Sequence, residues 1–134
     1  MKKKVREIVF NKYGGKCAYC GCDLEKGWHV DELLPVIRSY AEDFKNNKLV
    51  RKVSHVMYPE RFNIDNQMPA CASCNINKHS MSLEEFRKLI MGFLNHLNNI
   101  SVQYKISKRY GLVKENIKPI VLYFETFCKP NIIK

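Results

Sequence analysis

The sequence predicts an α+β fold assembled around a group of cysteines, with flanking helices and a C-terminal strand. Three observations predict this fold. Two Cys-x-x-Cys motifs stand far apart in the chain, at residues 17–20 and 71–74. Residues 28–35 form a short apolar run of strand length. Residues 80–99 carry the spacing of an amphipathic helix, with apolar side chains recurring every three or four positions.

The N-terminal elements follow from local patterns. Residues 3–13 place Val5, Ile8 and Val9 at helical intervals, and two consecutive glycines then end the predicted helix. The run "WHVDELLPV" predicts a short strand that ends at Pro35. Residues 38–62 are polar and basic and carry no clear pattern. A helix within residues 39–52 is one interpretation, and Tyr58-Pro59 would break it.

The C-terminal half has clearer signals. Residues 63–75 are predicted to form a loop that leads into a short helix from Ala72 to about His79. Ser82 and Glu85 form a capping box at the start of the helix predicted over residues 80–99. Its apolar stripe is expected to lie in the core: Leu83, Phe86, Leu89, Ile90, Phe93, Leu94 and Leu97. Residues 101–111 predict a basic helix, and residues 118–127 a strand that would bury the adjacent Cys128.

Composition indicates one domain over residues 1–134, because 46% of the residues are hydrophobic and no repeat is visible. No run approaches the ~20 apolar residues that a membrane span requires. The basic N-terminus lacks the apolar length and the cleavage site of a secretory signal. We therefore predict a cytoplasmic protein without a membrane partner.

The net charge of +10 favours a polyanionic partner. Any single basic cluster is typical of a solvated face, but the total points to nucleic acid. The charge does not separate DNA from RNA; DNA is the leading expectation and RNA stays open. The residues predicted to contact nucleic acid are Lys45, Lys48, Arg51, Lys52 and Lys78.

The two Cys-x-x-Cys motifs predict a zinc site formed by Cys17, Cys20, Cys71 and Cys74. Each motif is a knuckle whose loop lets two thiolates wrap one tetrahedral ion, and Gly21 supplies a residue that readily takes positive φ. Four cysteines form a closed shell, which is typical of structural rather than catalytic zinc. The alternative is four buried free thiols, and Cys22 is a competing candidate ligand.

A second site is predicted between and after the knuckles. His29, Asp31 and Glu32 are three ionisable residues within one apolar strand, and Asn75 and His79 are four apart on the predicted short helix. Asp31, Asn75 and His79 offer a carboxylate, an amide and an imidazole. This open, mixed set suits a divalent ion such as Mg²⁺ or Mn²⁺. Each residue alone is also consistent with a capping or solvated position.

The order of these motifs resembles the zinc-stapled HNH nucleases, whose core is the ββα-metal (His-Me finger) fold. "HVDELLPV" and "DNQMPACASCNINKHS" carry the resemblance, which covers residues 13–90; the second segment is similar to small HNH proteins of phages and mobile elements. It implies a core over about 13–90 and an extension over 91–134, in a cytoplasmic protein of the host if phage-encoded. It also implies structural zinc on the four knuckle cysteines and a catalytic ion on Asp31 and Asn75, with His79 as third ligand. Asn66 matches an asparagine that braces the loop.

One position departs from the family pattern. Where the family has a histidine that activates water, this chain has Glu32. A glutamate is a weaker base but still accepts a proton. His29 shares a strand face with Asp31 and is the alternative base, or a structural residue beside Trp28. Two functions follow: a metal-dependent DNA endonuclease or nickase, or a catalytically inactive, zinc-stabilised nucleic-acid-binding protein.

Overall fold

The computed structural model describes residues 1–127 and has the predicted α+β class, with two small antiparallel sheets. Cys128, expected in the core, lies outside the described residues. No helix among residues 1–127 is long and apolar enough to cross a membrane. The elements in chain order are α1 (Lys3–Asn11), β1 (His29–Glu32), β2 (Ile37–Lys45), β3 (Lys48–Met57), β4 (Gln67–Ala70), α2 (Ala72–Lys78), α3 (Leu83–Ile100) and α4 (Val102–Arg109).

The first sheet pairs β1 with β4, so that Asp31 lies opposite Met68. The prediction of a continuous loop over residues 63–75 is therefore wrong at β4. Pro69 suggested a loop because proline lacks the N–H that a central strand needs. The Pro69 carbonyl points to the first knuckle, where it accepts a hydrogen bond from the Ala18 N–H at 2.8 Å. The nitrogen of a strand residue points to the same side as its carbonyl, so the pairing with β1 does not need the N–H that proline lacks. Helix α2 follows β4 after a single residue, Cys71, which caps its N-terminus.

The hydrophobic core forms where the first knuckle, β4, α3 and the C-terminal segment meet. We call its fully buried members the core cluster: Cys17, Ala18, Tyr19, Met68, Ala70, Phe86 and Leu122. Helix α3 contributes Phe86, whose ring packs edge-on against Tyr19 with centroids 5.7 Å apart. The predicted capping box of α3 is confirmed, since Ser82 and Glu85 exchange both hydrogen bonds.

The predicted C-terminal strand is wrong: residues 118–122 are irregular and Tyr123–Phe127 form a 3₁₀ helix. The apolar run suggested a strand, but its hydrogen bonds go to the first knuckle. The N–H groups of Tyr123 and Phe124 donate to the carbonyls of Tyr19 and Ala18, at 2.9 and 2.7 Å. The tight turn lets two consecutive amides reach the knuckle while Leu122 enters the core.

The suggested helix within residues 39–52 is also wrong, because β2 and β3 form a long antiparallel hairpin there. Asn46 and Asn47 join the strands with φ of 51° and 59°. Two consecutive positive φ values are those of a type I′ turn, which fits the twist of a hairpin and which asparagine tolerates. The hairpin is exposed on both faces over most of its length.

Candidate functional site

The four knuckle cysteines meet at one point, with their sulfur atoms all within 4.8 Å of one another. The sulfurs of Cys20 and Cys71 are 3.8 Å apart. A tetrahedral zinc ion with Zn–S bonds of about 2.3 Å places its sulfurs about 3.8 Å apart, whereas a disulfide would require about 2.05 Å. The cluster therefore has the geometry to hold a metal ion such as zinc.

Within the cluster one thiolate is favoured, that of Cys17, whereas burial raises the pKa of Cys20 and the hydrogen bond with Cys17 raises the pKa of Cys74. The Cys17 thiol has a lowered pKa, first because the Cys74 thiol hydrogen-bonds to it. Backbone hydrogen bonds from Cys20, Cys71 and Tyr19 lower it further. Such amides stabilise the negative charge that a metal ligand must carry. Cys22 lies outside the four-sulfur cluster and is exposed, while its carbonyl accepts the Cys17 N–H at 2.8 Å.

A second feature is an open cavity of about 440 Å³ between β1, the segment that follows it, and the end of α2. Four of the predicted site residues line it together: Asp31, Glu32, Asn75 and His79. They come from segments more than 40 positions apart, and the pairing of β1 with β4 brings α2 onto β1. The four-cysteine cluster lies at the start of α2, where the sulfur atoms of Cys71 and Cys74 meet those of the first knuckle.

Asp31 is buried and is held by two donors. Its Oδ2 accepts the Lys78 ammonium at 2.9 Å and the Tyr19 hydroxyl. Burial, and then the charge of Asp31, raise the pKa of Tyr19 far above its ordinary value, so the phenol stays protonated and donates. Both bonds end on the same oxygen. No donor among residues 1–127 bonds Oδ1, and that oxygen is not sealed from solvent, so one carboxylate oxygen remains for the cavity.

The prediction that Lys78 contacts nucleic acid is wrong in this structure. Its side chain is fully buried, and its ammonium also donates to the Glu32 carbonyl at 3.0 Å. A phosphate cannot reach it. Lys78 instead fixes the Asp31–Glu32 segment of β1 against α2. The sequence does not predict this role. Lysine is usually exposed and is rarely buried without a paired carboxylate, and the pairing of Lys78 with Asp31 depends on the tertiary fold.

Glu32 lines the cavity and forms an ion pair with Arg38, whose guanidinium lies 2.8 Å from Oε1. Arg38 belongs to the base of the hairpin, lines the same cavity and stacks over the Phe62 ring. This arginine was not among the predicted site residues. Its position depends on the hairpin register, which the sequence pattern did not reveal.

His79 lies just beyond α2, so the expectation that Asn75 and His79 share one helix face is wrong in detail. The two residues still line one cavity. His79 has φ 48° and ψ −129°, and the Met81 N–H donates to the Lys78 carbonyl at 2.9 Å. These are the angles of the first central residue of a type II′ turn, a position that favours glycine. A histidine there is strained, and such strain is often found at functional sites.

Two predicted site residues, Asn66 and His29, do not line the cavity. Asn66 is buried and braces the chain after β1: its Oδ1 accepts the Leu34 N–H at 2.7 Å and its Nδ2 donates to the Leu34 carbonyl. This is the bracing position that the resemblance implies. His29 is exposed and is not among the residues that line the cavity, so the structure does not bring it to Asp31, Asn75 and His79.

Four of the basic residues predicted to contact nucleic acid lie exposed on the hairpin: Lys45, Lys48, Arg51 and Lys52. Cross-strand partners share a face, so the register separates them. Lys45 pairs with Lys48, and Lys52 lies on the same face. Arg51 lies on the other face, opposite Glu42, with a nitrogen–oxygen distance of 3.4 Å.

The cavity residues do not form a tight metal-binding cluster. Among residues 1–127, the four cysteines are the only group of at least three His, Cys, Asp or Glu side chains close enough to share an ion. Asp31, Glu32 and His79 do not gather so tightly. Mg²⁺ is commonly held by one or two carboxylates together with waters and substrate phosphate, and Asp31 offers one such carboxylate.

Compared with known proteins, the chain matches no family model, no curated protein and no solved structure.

Proposed function

We propose that this protein is a metal-dependent endonuclease or nickase of the HNH type, which hydrolyses phosphodiester bonds in DNA. The observation that supports it is the convergence of Asp31, Glu32, Asn75 and His79 on one open cavity. The pairing of β1 with β4, followed directly by α2, is consistent with a ββα-metal core. The excess of basic residues suits a polyanionic substrate.

In this proposal Asp31 Oδ1, the Asn75 amide oxygen and the His79 imidazole hold the divalent ion. The ion, when bound, supplies the charge that polarises the phosphodiester and stabilises the leaving oxygen. Lys78 and Tyr19 orient Asp31 by occupying its other oxygen. The chain thus presents a single carboxylate oxygen to the cavity, with its direction fixed by a buried ion pair.

Glu32 is the general base that takes a proton from the attacking water. Its carboxylate reaches the cavity, while Arg38 holds one oxygen and leaves the other available. An ordinary glutamate has a pKa near 4.3, so replacing the family's histidine costs on the order of 10²-fold or less in rate. The exposed His29, which does not line the cavity, is the weaker candidate.

The alternative is a non-catalytic nucleic-acid-binding protein, and the Glu32–Arg38 ion pair favours it. The Arg38 guanidinium lies 2.8 Å from the Glu32 carboxylate and holds it in an ion pair that a purely structural role would also require. Under this alternative the cavity binds a phosphate through Arg38 without cleaving it. DNA binding would then persist without any dependence on Mg²⁺ or Mn²⁺.

A plasmid-nicking assay with Mg²⁺ or Mn²⁺ tests the proposal. Glu32→Gln should lower the rate by about 10²-fold or more, since the amide cannot accept the proton but can still contact Arg38. The exposed Glu60→Gln is the matched control and should cut normally. With Glu32 as base, the rate should also lack an acidic limb near pH 6.5, which a histidine base would produce.

The metal ligands need milder variants than Asp31→Ala. That substitution leaves the buried Lys78 ammonium without its counter-charge, which costs roughly 3–5 kcal/mol and obscures the reason for lost activity. Asn75→Ala removes a ligand without this penalty and should raise the metal concentration required for cutting. If Glu32→Gln cuts like wild type, Glu32 is not the base. If wild type binds DNA but never cuts, the protein is the binder.

A further inference from the structure

The β2–β3 hairpin has two chemically different faces beyond its bulge. Tyr40, Glu42 and Phe44 alternate along one face of β2, and their cross-strand partners are Val53, Arg51 and Leu49. The opposite face carries three lysines and one aspartate: Lys45, Lys48, Lys52 and Asp43. We call these the apolar face and the lysine face. Glu42 and Arg51 pair with each other, so the apolar face carries little net charge.

The lysine face carries positive charge that the described part of the chain does not neutralise. All three lysines are exposed, and among residues 1–127 no carboxylate forms an ion pair with any of them. Lys45 and Lys48 lie directly opposite each other next to the turn. Like charges placed in this way destabilise a hairpin. A polyanion placed against this face would relieve the repulsion.

The hairpin is connected to the cavity through its base. Arg38 lies on β2, contacts Glu32 and lines the cavity. From Arg38, β2 runs seven residue steps to Lys45, its last residue, a length of about 23 Å at roughly 3.3 Å per residue. One turn of duplex DNA rises about 34 Å. The hairpin is therefore shorter than one helical turn, so a duplex that runs along it covers its whole length.

We propose that the hairpin is a duplex-DNA-binding arm that sets its lysine face against the phosphates of the duplex. A two-stranded ribbon also fits the dimensions of a major groove, which is about 12 Å wide. Only Lys45, Lys48 and Lys52 contact phosphate; Arg51 faces away and stays paired with Glu42. The inference rests on the proposed function for its substrate, but it concerns binding and not cleavage.

Binding of the full-length, zinc-loaded protein to a duplex of about three helical turns, measured by fluorescence anisotropy over a salt series, tests the arm. Lys45→Gln/Lys48→Gln/Lys52→Gln should weaken binding on the order of tenfold and lower the salt slope by about 2 to 3, since each phosphate contact contributes about 0.9. The corresponding arginine variant should bind like wild type, because the charge is retained.

Two controls isolate position from charge. Lys2→Gln/Lys3→Gln/Lys4→Gln removes the same charge from exposed N-terminal residues and should change the slope less. Glu42→Gln/Arg51→Gln alters the apolar face at constant net charge and should leave DNA affinity unchanged. Equal losses in both triple variants would overturn the arm, as would tighter binding to single-stranded RNA. If wild type binds DNA through the lysine face but never nicks it, the arm stands and the nuclease proposal falls.

Discussion

The core cluster and the hairpin are held together in different ways. In the core cluster, side chains from distant parts of the chain meet with almost no exposure, and four cysteines tie the two knuckles together. In the hairpin, by contrast, β2 and β3 pack mainly on each other, and both faces are exposed. Its persistence depends on a ladder of backbone hydrogen bonds and an Asn-Asn turn.

The difference shows which part of the chain is free to serve a partner. Residues in the core cluster are constrained by packing, so a substitution there changes the fold before it changes binding. Residues on the hairpin carry large apolar and basic side chains that stability does not require. Two-stranded ribbons are marginal by themselves, which makes such exposure costly unless something uses it.

The largest test of this contrast removes the metal cluster. Cys17→Ser should lose the metal and unfold the core, because binding at such sites contributes roughly 10 kcal/mol or more to folding. Cys22→Ser should change neither, since Cys22 lies outside the four-sulfur cluster. Metal analysis and thermal unfolding of the two variants measure both effects. A folded, metal-free Cys17→Ser protein would contradict the structural role.

Truncating one leucine in each region tests packing directly. Leu122 is 1% exposed, and Leu122→Ala should cost about 2–5 kcal/mol through lost burial and a cavity. Leu49 is 51% exposed, and Leu49→Ala should cost less than about 1 kcal/mol. Urea denaturation of both variants gives the comparison. Similar costs would mean that the hairpin is packed against something in solution.

Two carboxylate–arginine pairs, Glu125 with Arg87 and Glu42 with Arg51, should differ in how pH changes their contribution to stability. Arg87 holds the pKa of Glu125 below its ordinary value, chiefly through its hydrogen bonds. A lowered pKa stabilises the fold above the unfolded value near 4.5, and this contribution is lost as pH falls through the lowered pKa. Glu125→Gln should therefore cost about 1 kcal/mol at pH 7 and reduce the loss of stability below pH ~4.5.

The hairpin pair of Glu42 with Arg51 is the control for this experiment. Both side chains are more than half exposed, so their attraction is screened by water. Glu42→Gln should leave the free energy of unfolding unchanged at pH 7 and at pH 4. An equal effect of Glu42→Gln and Glu125→Gln would show that burial does not distinguish the two pairs.

The smallest effects should come from one substitution in the turn after α2 and one in the turn of the hairpin. His79 and Asn47 both have positive φ, at 48° and 59°. His79→Gly should stabilise the protein by about 1 kcal/mol, because ψ of −129° strains any side chain. Asn47→Gly should contribute only a few tenths, since asparagine tolerates the left-handed conformation. Thermal unfolding measures both, and destabilisation by His79→Gly would contradict the strain.

The sequence predicted elements whose signals are local. Helix α3 has its cap and stripe within 20 residues, and each Cys-x-x-Cys knuckle is complete within four. The hairpin was missed because its Glu, Asp and Lys residues are neutral or favourable in helices, and its Asn-Asn turn is a weak signal. The 3₁₀ helix at Tyr123–Phe127 was missed because its hydrogen-bond acceptors lie about 100 positions away.

The site was predictable to a similar extent. Asp31, Glu32, Asn75 and His79 were found because carboxylate, amide and imidazole groups cluster in two short stretches. The roles of Lys78 and Arg38 were not predictable, because each depends on tertiary pairing. A lysine on a short helix is expected to be exposed, and Lys78 is buried only because β1 packs against α2. Arg38 contacts Glu32 because both lie at the base of the hairpin, which the sequence pattern does not reveal.

The hairpin enters and leaves the body of the protein at one place, since Ile37 and Met57 are paired at its base. Such an arm can be exchanged between related proteins without disturbing the rest of the chain. The pleat restricts how its length can change. Adding one residue to each strand near the base turns every side chain beyond it to the other side, whereas adding two to each preserves the orientation. Functional relatives should therefore differ in arm length by steps of four residues.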